Sequence, residues 1–87
     1  MKPLIKICGI SDFSFLKEII ELKDINYLGF IFYEESPRFV SKNFLNKIKD
    51  FNFRDKKPVC VYVNASKEYI NETSSYFNNP ILQFHGG

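Results

Sequence analysis

Lys6-Ile7-Cys8-Gly9-Ile10 is the stretch from which the rest of the chain is read. Leu4, Ile5 and Ile7 make a short apolar strand that ends at Cys8. Gly9 then permits a sharp turn, because a residue without Cβ enters conformations closed to the others. Ser11 offers an N-cap, and Phe13, Leu16, Ile19 and Ile20 recur at helical spacing. The stretch is therefore a strand, a turn and the start of a helix, with a thiol at the strand's carboxyl end. In α/β proteins that end of the strand is where ligands bind.

The same unit repeats along the chain. The first strand covers about Leu4 to Cys8 and the first helix about Asp12 to Leu22. A second strand, Tyr27 to Phe32, is apolar on both faces, the pattern of a buried parallel strand. Tyr33 to Arg38 is a loop in which Pro37 disfavours helix at Ser36. Ser41 caps a second helix with an inner stripe of Phe44, Leu45, Ile48 and Phe51. Pro58 opens a third strand, Val59 to Val63. Ser66 caps a third helix whose stripe is Tyr69, Ile70, Thr73 and Phe77. Asn78-Asn79-Pro80 is a turn signal, and Ile81 to His85 is a fourth strand. The pattern β-α-β-α-β-α-β implies parallel strands and right-handed crossovers. A small doubly wound sheet and half of a (β/α)₈ barrel both fit it.

Composition narrows the function. Residues 1–87 are one small domain at most, or a piece of a larger one. A chain of this size buries only about 60% of its unfolded surface. Its 45% hydrophobic content, with ten Phe and five Tyr, is that of a globular core. The net charge of +2 comes from interspersed acids and bases, which argues against nucleic-acid binding. No apolar run is long enough for a signal peptide or a membrane span, so the default location is cytoplasmic. Two cysteines, Cys8 and Cys60, are too few and too far apart for a disulfide frame or a metal site. No Gly-rich phosphate loop occurs, and no cofactor is expected.

Five motifs carry a resemblance. Lys6-Ile7-Cys8-Gly9-Ile10, Gly29-Phe30-Ile31-Phe32, Ser36-Pro37-Arg38, Val61-Tyr62-Val63-Asn64 and Gln83-Phe84-His85-Gly86 occur in this order. Together they resemble the N-terminal half of phosphoribosylanthranilate isomerase, a tryptophan-biosynthesis enzyme. That family is a (β/α)₈ TIM barrel of about 200 residues, the lower limit for such barrels. The resemblance implies four parallel strands in the order 1-2-3-4, with all three helices on one face. It also implies an Amadori rearrangement of a small phosphorylated aminoaldose to an aminoketose. An acid opens the sugar ring to a Schiff base, and a base removes a proton from the adjacent sugar carbon. By resemblance Cys8 is that base and Arg38 binds the anthranilate carboxylate. Gln83 and His85 share strand parity and so face one side. By resemblance that side is the barrel interior, where they support the site.

Departures from the family pattern are equally informative. The family's acid is an aspartate on a later strand, and its phosphate loops follow strands seven and eight. Asp12, Asp24, Asp50 and Asp55 lie on or beside helices instead. The resemblance therefore implies a truncated piece, inactive by itself, whose open half barrel favours self-association. The rival reading is a non-catalytic remnant, or a half-barrel subunit that docks on a partner. Taken alone, Cys8 reads as a buried inert thiol, Arg38 as a solvated loop residue and His85 as a structural histidine. The motif context reverses the first two. Nothing reverses the core reading of Cys60.

Overall fold

The computed structural model describes residues 4–85. Met1-Lys2-Pro3, read as leading into the first strand, and Gly86 of the fourth-strand motif lie outside the described residues. The elements are β1 (Lys6–Ile7), α1 (Phe13–Ile19), β2 (Tyr27–Ile31), α2 (Lys42–Ile48), β3 (Lys57–Val63), α3 (Lys67–Ser74) and β4 (Ile81–His85). The four strands form one sheet in the order β1-β2-β3-β4, and every pairing is parallel.

Register divides the strand residues between two faces. Leu28 pairs with Pro58, Phe30 with Cys60, and Tyr62 with Phe84. In a parallel ladder, paired residues point to the same side, so these share the helix-covered face. Phe30 is fully buried there. Its ring packs on Phe44 of α2 at 5.9 Å and on Phe77 beyond α3 at 5.1 Å. Phe13 of α1 meets Phe44 edge-on at 6.2 Å. Tyr62 stacks with Phe32 at 5.2 Å and meets Tyr69 of α3 at 6.3 Å. All three helices thus contribute to one core on one face of the sheet. That excludes the doubly wound alternative, which needs helices on both faces. Complete burial of each large apolar side chain contributes about 1.5–3 kcal/mol, so this aromatic layer carries much of the stability.

The other face holds Lys6, Cys8, Gly29, Ile31, Val59, Val61, Gln83 and His85, by the same register. Val59 and Val61 are buried there without joining the helix-side core.

Several boundaries differ from the sequence reading, each for a local reason. β1 is shorter than Leu4 to Cys8. At Ile5 the backbone N–H donates to the Asn26 side chain, and the Ile5 carbonyl accepts from Asn26 and Tyr27. The Asn26 side chain thus replaces a ladder partner, and Leu4 and Ile5 stay exposed. Helix α1 is capped by Asp12 rather than Ser11. The Asp12 carboxylate accepts from the Ser14 N–H at 2.9 Å, and a helix amide prefers such an anionic acceptor. Beyond Ile20 the bonds tighten to i→i−3, the usual way a helix end satisfies its last carbonyls. Ser41 and Ser66 cap α2 and α3 as expected, at 3.1 Å each. Asn64 and Asn79 end their segments with φ of 49° and 51°, a left-handed conformation that asparagine tolerates.

Candidate active site

The site begins at the turn after β1. The Gly9 and Ile10 N–H groups both donate to the Gly29 carbonyl at 3.0 Å, which pins the Cys8-Gly9-Ile10 turn onto β2. Gly9 has φ of 83°, a region closed to most L-residues. Cys8 follows the last strand residue directly and is exposed.

Arg38 arrives from the loop after β2. Val40 donates to the Ile31 carbonyl at 3.0 Å, and Phe39 bridges Ile31 in parallel fashion. The Ser36 hydroxyl accepts from the Arg38 N–H at 3.1 Å. These bonds hold the loop against the end of β2. The Arg38 side chain then lies over Gly9, on the space a side chain there would fill, with Cδ, Nη1 and Nε as its nearest atoms. The structure thereby brings together two residues 30 positions apart, Cys8 and Arg38, through the glycine between them. Arg38 is an exposed residue.

Gly29 supplies the second space. A β-carbon there would stand 3.1 Å from the Cys8 Sγ and 3.2 Å from the Lys6 Cε, closer than ordinary packing allows. The thiol and the lysine stem thus occupy the room that β2 leaves open. Sequence reasoning passed over this role, although a glycine within an otherwise apolar strand signals close approach. It also missed Lys6, whose parity with Cys8 was there to be read.

Gln83 and His85 lie on the same face, as their parity requires. Their side chains meet at 2.8 Å, Nε2 to Nε2. The Lys6 ammonium donates to the Gln83 Oε1 at 2.6 Å. A flat four-stranded sheet would hold β1 and β4 about 14 Å apart, so this bond records the inward curl of the sheet. Cys60 is fully buried on the opposite face, and burial pushes its thiol up to about 12. Among the described residues no group of three or more His, Cys, Asp or Glu side chains could hold a metal ion. No helix among them is long and apolar enough to cross a membrane.

An open cleft of about 410 Å³ lies between the loops that follow β2 and β3, with Tyr33, Glu34, Asn64 and Tyr69 among its walls. Neither Cys8 nor Arg38 lines it. The Tyr33 hydroxyl donates to the Glu35 carboxylate at 2.7 Å, a bond that raises the Tyr33 pKa. Burial raises that of Tyr69.

Parallel βα units, a curled sheet with its helices outside, and polar groups gathered on the inner face and at the carboxyl ends of the strands define part of a (β/α)₈ barrel. Comparison with known proteins then gives the family. The model of the N-(5'-phosphoribosyl)anthranilate isomerase family matches residues 5–87, and the chain belongs to that family. A relative from Agrobacterium fabrum bearing that name is 34% identical over 86 residues, covering 99% of this chain and 39% of its own length. One from Parabacteroides distasonis is 38% identical over 84 residues, covering 95% of this chain and 38% of its own. The crystal structure of the Thermotoga maritima phosphoribosylanthranilate isomerase superposes with a TM-score of 0.79 at 30% identity, over 95% of this chain and 40% of that one. Monomers generated from that dimeric enzyme give 0.78 at 31% identity, over 95% and 41%. The chain thus spans about two fifths of the length of the relatives it matches.

Proposed function

We propose that these residues form the N-terminal part of the active site of a phosphoribosylanthranilate isomerase. Cys8 is the general base and Arg38 the group that binds the substrate carboxylate. The observation that carries the reading is the packing of Arg38 over Gly9, immediately beside Cys8. It sets a cation and a proton acceptor at one end of the sheet, where a substrate with a carboxylate at one end and a sugar at the other can meet both.

The chemistry follows from that arrangement. Once the acid has protonated the ring oxygen and the furanose ring has opened, the substrate is a Schiff base protonated on nitrogen, and the proton on the sugar carbon next to it is acidified. The Cys8 sulfur takes that proton. The electron pair left on carbon moves into the imine and gives an enolamine, which tautomerises to the ketose. Ring opening needs an acid, which the family resemblance assigns to an aspartate beyond these residues. The Arg38 guanidinium is a planar fork that matches a carboxylate bidentately, and lysine does not reproduce this. The carboxylate keeps its charge throughout the reaction, so Arg38 holds substrate and transition state alike.

The test is steady-state kinetics of the barrel completed with the C-terminal part of the Agrobacterium fabrum relative. Arg38→Ala raises KM by about tenfold to a hundredfold, the worth of a charge-assisted hydrogen bond, with kcat nearly unchanged. Arg38→Lys recovers only part of the affinity. An unchanged KM in Arg38→Ala refutes the assignment.

A further inference from the structure

The chain of side chains across the inner face carries more than support. Lys6 is on β1 and Gln83 on β4, and the Lys6 Nζ stands 2.6 Å from the Gln83 Oε1. An ammonium is a donor with no lone pair to offer. It therefore fixes which end of the Gln83 amide faces β1, because the carbonyl oxygen must point to Lys6. The amide's NH₂ is then committed to the other side, where it stands 2.8 Å from the His85 Nε2. An NH₂ group is a donor only, so the ring nitrogen it faces must accept. A neutral imidazole that accepts at one nitrogen carries its proton on the other, and its hydrogen-bond partner decides which.

We infer that Lys6, acting through Gln83, holds His85 in the tautomer protonated on Nδ1. Lys6 and Gln83 are then positioning residues. His85 then offers a ligand a single N–H donor and has no free acceptor nitrogen. A ligand contacting that ring must bring an acceptor oxygen, such as a sugar hydroxyl or carbonyl, rather than a donor. That last consequence rests on the function proposed above; the tautomer itself rests on the three side chains alone. The open space at Gly29 is what lets the lysine stem cross β2, since a β-carbon there would stand 3.2 Å from the Lys6 Cε.

The chain has one histidine, so its ring nitrogens can be read directly in ¹⁵N-labelled protein by long-range ¹H–¹⁵N correlation. At about pH 9, where free histidine is neutral, the wild type shows Nε2 as the unprotonated nitrogen and Nδ1 as the protonated one. Free imidazole side chains in water have the opposite preference. In Lys6→Met the amide is free to turn, and the ratio of the two tautomers moves toward Nε2–H by about fivefold to tenfold, the effect of one ordinary hydrogen bond. Lys6→Arg, which keeps a donor-only cation, retains the wild-type pattern. Gln83→Glu presents two acceptor oxygens and inverts the tautomer while Lys6 stays paired. A wild-type ring protonated mainly on Nε2 would overturn the inference. So would an unchanged ratio in Lys6→Met, or an unchanged tautomer in Gln83→Glu.

Discussion

The side chain of Arg38 lies in the space where a side chain on Gly9 would begin, so a β-carbon on Gly9 would overlap the Arg38 Cδ. The turn after β1 and the loop after β2 are therefore fitted to each other. Gly9→Ala should be costly in two ways. A left-handed conformation costs an L-residue about 1–2 kcal/mol, and Arg38 must move away. Urea unfolding should show a loss of that size, and the completed barrel should show a raised KM. An unchanged unfolding midpoint would mean that the two loops are not fitted in this way.

The Tyr62 hydroxyl is buried against α3, with the Thr73 hydroxyl at 2.7 Å and the Ile70 carbonyl at 3.4 Å. Thr73 itself donates back to the Tyr69 carbonyl at 2.8 Å. Thr73→Val keeps the shape but removes the short partner of the Tyr62 hydroxyl, at a cost of about 1–3 kcal/mol. Thr73→Ser should recover most of that loss. Urea midpoints of the two variants check this, and equal stabilities would remove the hydroxyl pair from the account.

The two thiols should differ sharply in reactivity. Cys8 is exposed and Cys60 fully buried. A thiol reagent such as Ellman's should modify one thiol in the native protein at pH 8 and the second only after denaturant is added. Burial raises the Cys60 pKa from its ordinary 9.0 to about 12. A neutral thiol binds its proton more tightly in the folded state, so this contribution is complete below pH 9. It is lost as pH rises from 9 toward 12, by up to about 1.4 kcal/mol per pH unit. Cys60→Ala should flatten that alkaline slope in urea unfolding; an unaltered slope would contradict the assignment to Cys60.

Much of the fold was legible because local rules and long-range packing agree here. The stripe Phe44, Leu45 and Ile48 is the buried face of α2, and Ser41 and Ser66 are the caps that their positions announced. Parity alone placed Gln83 and His85 on one side. The choice between a half barrel and a doubly wound sheet was not legible from periodicity, since both bury identical stripes. It took the motif resemblance to lean toward the barrel, and the shared aromatic core of the three helices to settle it. The contact of Arg38 with Gly9 and the reach of Lys6 to Gln83 were illegible for a physical reason. Each depends on how far the sheet curls and on empty space at a glycine, and neither leaves a periodic trace. The start of β1 was misread because a side chain, Asn26, stands in for a strand partner.

Cys8 as general base is the claim on which the functional account stands, and kcat of Cys8→Ala in the completed barrel tests it most directly. A positioned general base is worth about a hundredfold or more in rate. The account predicts a fall in kcat of at least that size with KM nearly unchanged, because the sulfur acts on the proton and not on the carboxylate. A Cys8→Ala enzyme that turns over at the rate of its parent would contradict it.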